Sequence, residues 1–398
     1  MATLRDVTLT LEWESAAPAG VVRHRDSLFA GGVDLLRDTL PGTVADSLMA
    51  AGPGETVTLP IAASDLPGAG AVFDMPVSGL QHPQAVGGEG VLRYGLYYPS
   101  TLFALPPAHQ TPRTVPVRYL GTESGMMRLD IRHPLSDYAV TLSATILRAF
   151  DGQSDDRPAI DWGYRLLAGP GLQACWRGTE TAYLFDGAYG RPDDSADQDF
   201  YAQARITAHI DQRAQRTVGD YYAGIIPPDG RILDLMSSAH SNLHPEQRFG
   251  SLTGLGMNAA EMTANARLTD SVVADLNAGA PLPFADDSFD AAICTVSIDY
   301  LTDPVRVMRE VGRVLRPGAG FAVTFSNRWF PPKVTRLWTE LTSFEQLGLV
   351  TQYFQHARCF DTPATASFRG LPRPPDDPYI GHTDESDPVF GVVGYARH

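Results

Sequence analysis

The sequence predicts two folds in one chain: a β-rich α+β part over residues 1–148 and an α/β part with a mostly parallel sheet over residues 201–398. Three observations predict this. Residues 1–148 carry short runs in strict two-residue alternation, the period of a half-buried strand. From Arg231 onward, short apolar runs are separated by helix-length segments, the pattern of parallel strands joined by crossovers with a ligand site at their carboxyl ends. Between the two, residues 151–158 and 191–197 are acidic, polar and proline-bearing, which is the chemistry of a joint.

Taken in order, Val7, Leu9, Leu11 and Trp13 alternate with Thr8, Thr10 and Glu12 as one strand. Val57, Leu59 and Ile61 repeat the pattern after the turn signal Gly52-Pro53-Gly54. Val115, Val117 and Tyr119 lead into Gly121 to Gly125, and Met127, Leu129 and Ile131 return; Val140, Leu142, Ala144 and Ile146 form a further strand. Residues 149–200 are a linker or a lid. A helix is expected from Phe200 to Ile226, with Ile206, Ile210, Ala214 and Val218 on one stripe, ending before Pro227-Pro228. Tyr201, Arg205 and His209 lie on it.

The α/β part begins with Ile232 to Leu235, a buried strand breaking into a small polar loop. A second strand, Leu252 to Gly256, a third, Val272 to Asn277, and a fourth, ending at Cys294, follow. Val305, Met308, Val311, Val314 and Leu315 form a helical face that stops at Pro317-Gly318, and Phe321 to Phe325 reads as a fifth strand. A second helix is expected over Val334, Leu337, Trp338, Leu341 and Phe344. Ala366-Ser367-Phe368 and Val389 to Tyr395 can pair as a hairpin around the proline- and acid-rich stretch 370–387.

Composition narrows the function. At 398 residues and 43% apolar, the chain can fill more than one core. A formal charge of −15 repels phosphate backbones and anionic lipid, so neither nucleic acid nor membrane is an expected partner. No run reaches the length of a membrane span, and Met1 to Arg5 lead into no apolar segment, so the expectation is a cytoplasmic protein. Cys175, Cys294 and Cys359 are odd in number, widely spaced and without metal-ligand spacing; they read as free thiols, with Cys294 in a core strand. No metal site is expected.

The run from Ile232-Leu233-Asp234-Leu235, through Leu282-Pro283-Phe284 and Ser288-Phe289-Asp290, to Arg309-Glu310-Val311-Gly312-Arg313-Val314-Leu315-Arg316-Pro317-Gly318 resembles a class I S-adenosylmethionine-dependent methyltransferase. The resemblance covers roughly residues 200–398. It implies a Rossmann-like domain with a seven-stranded, mostly parallel sheet and S-adenosylmethionine as cofactor. Asp234, Met236, Ser237 and Ser238 then face the methionine end of the cofactor. Met257 and Asn258 stand by ribose and adenine, and Asp275, Leu276 and Asn277 lie on the adenine side. The chain departs from the pattern in two places: Met236, Ser238 and His240 stand where glycines are expected, and Gly256 stands where an acid for the ribose is expected. Asn258 also reads as a helix N-cap. His240, Asp299 and Tyr300 are the candidate catalytic residues, His240 as a base, with Ser297, Asn327, Arg328 and Trp329 also on the acceptor side.

The N-terminal part resembles FKBP-type prolyl isomerases of the SlyD-like branch. Asp46-Ser47-Leu48-Met49 through Gly54-Glu55-Thr56-Val57-Thr58-Leu59-Pro60 and Leu129-Asp130-Ile131-Arg132-His133-Pro134-Leu135 carry the likeness. The aromatic positions of that family are held by Trp13, with no glycine two residues on, and by Arg25-Asp26. Isomerase activity is therefore one reading; a peptide- or acceptor-binding module and a packing or dimerisation domain are the others. The leading expectation is a methyltransferase acting on a small molecule or peptide, with homodimerisation open. The rival is a non-catalytic binding or chaperone-like protein with a degenerate methyltransferase fold.

Overall fold

The computed structural model describes residues 2–67, 70–81, 91–110, 115–152 and 157–397. Residues 153–156 of the expected acidic joint lie outside the described residues. The chain divides into two compact units, Met1–Ala188 with Glu340–Gly348, and Tyr189–Thr339 with Leu349–His398. The stretch 149–200 is accordingly divided between them.

In the first unit the long alternating runs become long strands. β1 (Ala2–Ala17) pairs antiparallel with β2 (Gly20–Val33), placing Trp13 opposite His24. β3 (Thr56–Ile61) and β8 (Val140–Gly152) extend this arrangement in the order β2, β1, β8, β3. The alternation buries Val7, Leu9, Leu11 and Trp13 with Leu142, Ala144 and Ile146 against α1 (Val44–Met49) and α2 (Trp162–Leu167). The chain between β3 and β8 makes a second antiparallel sheet of β4 (Val72–Pro76), β5 (Tyr97–Pro99), β6 (Pro116–Glu123) and β7 (Met126–Asp130), in the order β4, β7, β6, β5. The β-rich character read from the sequence is present.

The second unit holds β9 (Arg231–Leu235), β10 (Ser251–Gly256), β11 (Asp270–Val273), β12 (Phe289–Thr295), β13 (Leu315–Phe325), β14 (Ala364–Arg369) and β15 (Val389–Tyr395). Their order is β11, β10, β9, β12, β13, β15, β14. The first five are parallel and β15 runs antiparallel to both neighbours. Strand order reverses at β9, whose carboxyl end therefore opens a crevice between crossovers of opposite sense. One expectation is corrected: the sheet is mixed, since β15 runs against its neighbours, and it has 11 strands in place of the seven-stranded sheet.

The helices depart from the expected lengths for local reasons. Instead of one helix from Phe200 to Ile226, α3 (Asp197–Tyr201) ends early and α4 (Gln212–Ala223) begins afresh. Asp211 restarts the helix by accepting from the main-chain N–H of Arg213 and Ala214 at 2.8 and 3.1 Å. The helix expected over Val334 to Phe344 is likewise split, into α7 (Arg336–Thr339) and α8 (Ser343–Ala357). Thr342 and Glu345 form the reciprocal box that starts α8: Thr342 N–H donates to Glu345 Oε2 at 3.0 Å, and Glu345 N–H to Thr342 Oγ1 at 3.3 Å. The remaining helices, α5 (Ala259–Ala264) and α6 (Pro304–Val314), follow β10 and precede β13.

Candidate functional site

At the reversal point, Ile232, Leu233 and Leu235 fill the core while Asp234 closes the strand, only 2% exposed. Ser237 and Ser241 each donate a hydroxyl to its Oδ2 at 2.7 Å. Burial pushes the Asp234 carboxyl up to about 6, and the serine hydroxyls hold it from rising further. The chain leaves the strand through Met236 in the left-handed region, φ 57°, where the resemblance expects a glycine. Ser237 N–H then bonds to Leu255 O at 2.8 Å. The glycines are not lost but sit in the next strand: a Cβ at Gly256 would lie 2.1 Å from Ser237 O. Removing the acid at 256 and packing the loop against β10 are thus one change. The main-chain N–H groups of Ser238, Ala239 and His240 have no hydrogen-bond partner among the described residues.

The second strand end is organised by Asn258 and Glu261. Asn258 Oδ1 caps α5, accepting from Ala260 and Glu261 N–H at 2.9 and 3.1 Å, and its amide donates to the carbonyls of Tyr201 and Ala202 at 2.8 and 3.2 Å. All its bonding capacity is used, so of the two sequence readings the structure supplies the cap. Glu261 accepts Ser238 Oγ and Arg205 N–H, both at 2.6 Å, tying the β9 loop to the segment 202–211. At the third strand end, Asp275 Oδ1 accepts Asn277 N–H at 2.8 Å while Oδ2 has no partner among the described residues. Asn277 is a bridge: its amide donates to Asp197 Oδ2 at 2.9 Å and Tyr300 O at 3.0 Å, and its oxygen accepts from Thr302. Asp197 is held further by Arg191 at 2.8 Å and by the fully buried Lys333 at 3.3 Å.

These strand ends enclose a cavity of about 240 Å³. It is lined by Asp234, Met236, Ser237, Ser238, His240, Met257, Asn258, Asp275, Leu276, Asn277 and Tyr300, all named from the sequence. Asp299 is not at its wall: 3% exposed, with Oδ2 unpartnered among the described residues, it is pushed up to about 8 by burial. It sits behind Tyr300, whose hydroxyl accepts Phe330 N–H at 2.8 Å. The acceptor end is aromatic. Phe330 stacks on Tyr300 at 5.9 Å and meets His209 edge-on at 5.2 Å. Trp329, Arg328 and Tyr201 complete it, and the Tyr201 hydroxyl is buried without a partner among the described residues. Burial holds the His209 imidazole below its usual range. Three non-glycine residues with positive φ line this one cavity, Met236 at 57°, Asn242 at 51° and Val296 at 43°. Strain of this kind persists where surroundings impose it, and it clusters at working sites.

Sequence reading did not single out Asp197, Glu261, Phe330 or Lys333. For Glu261 a signal existed, the Asn-x-x-Glu spacing of a capping box ahead of Met262. For Asp197 and Lys333 there was none, since their partnership joins residues far apart in sequence.

A family model described as a methyltransferase domain matches residues 238–323. That stretch runs from the loop after β9 through β10, α5, β11, β12 and α6 into β13. Methyltransferase phqN of Penicillium fellutanum is 34% identical over 101 residues, 23% of this chain and 31% of that protein. Methyltransferase GfsG of Streptomyces halstedii is 46% identical over 56 residues, 14% of this chain and 20% of that protein. The chain thus spans less than a third of the length of these curated relatives. Among solved structures, a SAM-dependent methyltransferase of Thermotoga maritima is 16% identical, covering 47% of this chain and 90% of its own, with a TM-score of 0.33. At that score no function is carried over from it. The likeness to methyltransferase domains thus lies in residues 238–323.

Proposed function

We propose that the chain is an S-adenosylmethionine-dependent methyltransferase acting on a small molecule or a peptide in the cytoplasm, its β-rich part serving for binding or packing. One observation carries the reading: unpartnered main-chain N–H groups at 238–240 stand beside Asp234 at the sheet's reversal point, within the matched methyltransferase stretch. S-adenosylmethionine supplies a sulfonium methyl group that needs no further activation. Its carboxylate suits the three loop N–H groups and its ammonium suits Asp234, so the residues present fit it. Asp275, with one oxygen unengaged, suits the adenine amine. Glu261 keeps lone pairs after accepting two donors and is the acid left at the β10 end, where Gly256 offers none.

The acceptor lies toward Phe330, Trp329 and Arg328 on this reading. His209, held neutral by burial, takes the proton that an O–H or N–H acceptor loses as it gains the methyl group; His240 at the cavity wall is the alternative base. Tyr300 positions Phe330 through its hydroxyl, and Asp299 acts behind it. A peptide or small molecule is the partner, with neither nucleic acid nor membrane, and a homodimer is compatible. The second reading, a non-catalytic binding protein, draws on Met236 and Gly256.

Calorimetric titration with S-adenosylmethionine and S-adenosylhomocysteine separates the two. Micromolar binding of either, weakened at least about tenfold in Asp234→Ala and Asp275→Ala, is expected. No binding at millimolar ligand would turn the reading toward the non-catalytic protein.

A further inference from the structure

Two arginines line the cavity, and they differ in what they have left to offer. Arg205 has its guanidinium occupied: Nη1 and Nη2 donate to Phe200 O at 3.2 and 3.3 Å, Nη1 also to Gln203 O at 3.3 Å, and its face covers the Phe200 ring. Arg328 uses only Nε, on Asp387 Oδ1 at 3.1 Å, while the Tyr379 ring lies 4.5 Å from the guanidinium carbon. Its two Nη atoms make no hydrogen bond among the described residues. The side chain is 33% exposed, so this end-on fork is accessible.

The support behind Arg328 is built rather than incidental. Asp387 also accepts Arg373 Nη2 at 2.7 Å and Asp211 N–H at 3.0 Å. Arg373, with only 2% of its side chain exposed, reaches Asp377 at 2.9 Å. Ser386 Oγ lies 2.9 Å from both oxygens of Asp211. The stretch between β14 and β15 is thereby pinned to the start of α4 and holds one guanidinium in a fixed direction. A buried ionic network is a poor source of net stability, so its positioning role is the one that matters here. Three carboxylates outnumber two guanidiniums in it, which rules out a diffuse positive field. Recognition must come from the directed fork, and two parallel N–H donors match the two oxygens of a carboxylate.

The wall beside the fork is aromatic: Trp329 lines the cavity, and Phe330 stacks on Tyr300 with the Arg205 guanidinium 5.3 Å from its ring centre. We infer that the methyl acceptor is a small aromatic carboxylate, its two oxygens on the Arg328 Nη fork and its ring against Trp329 and Phe330. The inference rests on the methyltransferase reading of the same cavity. It places the acceptor's ring next to His209, which meets Phe330 at 5.2 Å.

The test uses the full chain saturated with S-adenosylhomocysteine and two probes, 4-hydroxybenzoate and its methyl ester, titrated calorimetrically. The acid is expected to bind at least about tenfold more tightly than the ester, as a charge-assisted bidentate contact implies. In Arg328→Gln the preference falls to about twofold or less, and Arg328→Lys, which keeps the charge without the fork, restores only part of it. Affinity for S-adenosylhomocysteine and the melting temperature stay as in the parent, which marks both variants as folded. Equal or tighter binding of the ester, binding of neither probe, or a preference that survives Arg328→Gln overturns the inference. Failure of S-adenosylhomocysteine to bind is seen before any probe is added, and it overturns the methyltransferase reading together with what rests on it.

Discussion

Gly256 shapes the cofactor loop although it lies outside it. A Cβ there would meet a main-chain oxygen, Ser237 O at 2.1 Å, and also Met262 Sδ at 3.2 Å, so the loop itself must shift. At Gly254 the obstacles are softer, Leu268 Cδ1 at 2.7 Å and Ser237 Oγ at 2.9 Å. Gly256→Ala is therefore expected to destabilise the protein by about 1–3 kcal/mol, as overpacking does, and to weaken S-adenosylhomocysteine at least about tenfold. Gly254→Ala should cost less on both counts. Calorimetry and thermal melts check this, and parent-like ligand affinity in Gly256→Ala would remove the loop-shaping role. Sequence alone marked Met236, Ser238 and His240 as missing glycines but could not show where the space had gone. Whether a loop carbonyl crowds a neighbouring strand is a tertiary fact, invisible to a linear pattern. Asp234, Asp275 and Tyr300 were legible because strand ends in a parallel sheet converge on one crevice.

The segment 202–211 shows how periodicity misleads at the scale of an element. Ile206, Ile210, Ala214 and Val218 repeat every four residues, yet Ile206 is 64% exposed and only the last three pack on the sheet. Asp211 overrides the pattern by capping α4, and the chain before it crosses the strand ends, fastened by Asn258 and Glu261. An alanine at 261 offers no acceptor, so Ser238 Oγ and Arg205 N–H both lose their partner. Glu261→Ala is expected to speed amide exchange across 202–210 by about fivefold to tenfold, a local loss near 1 kcal/mol, leaving α4 unchanged. Exchange followed by mass spectrometry reads this directly; equal acceleration in α4 would show global loosening instead. The β1–β2 pair invites a separate expectation. Trp13 Nε1 donates to Asp26 Oδ2 at 2.9 Å and the Gln173 amide reaches the same oxygen at 3.3 Å, all three side chains buried. A prolyl ring entering there must displace Gln173, so turnover of a proline peptide is expected at the uncatalysed rate. A clear acceleration would revive the isomerase reading.

Across the whole molecule, the two units carry buried titratable groups of opposite sign. In the first, burial lowers His24 from 6.5 to about 3 and His133 to about 4. Below pH 6.5 the unfolded chain takes up protons that the folded histidines refuse, so this unit loses stability as pH falls, by about 2 kcal/mol per histidine at pH 5. In the second, burial raises Asp234 from 3.8 to about 6 and Asp299 to about 8. Here the folded state keeps protons that the unfolded chain releases, so stability is greatest below pH 3.8 and declines as pH rises, up to about 6 for Asp234 and about 8 for Asp299. Glu345, raised by burial, opposes the trend in the first unit, and His209, lowered by burial, opposes it in the second. Between pH 7 and pH 5.5 the units should therefore respond oppositely. Amide exchange, corrected for its intrinsic pH dependence, is expected to show β1 and β8 losing protection on acidification while β9 and β12 hold or gain it. Asp299→Asn removes the largest contributor in the second unit and should flatten its response without touching the first. Parallel loss of protection in both units would mean that Asp234 and Asp299 ionise in the folded protein as they do in the unfolded chain.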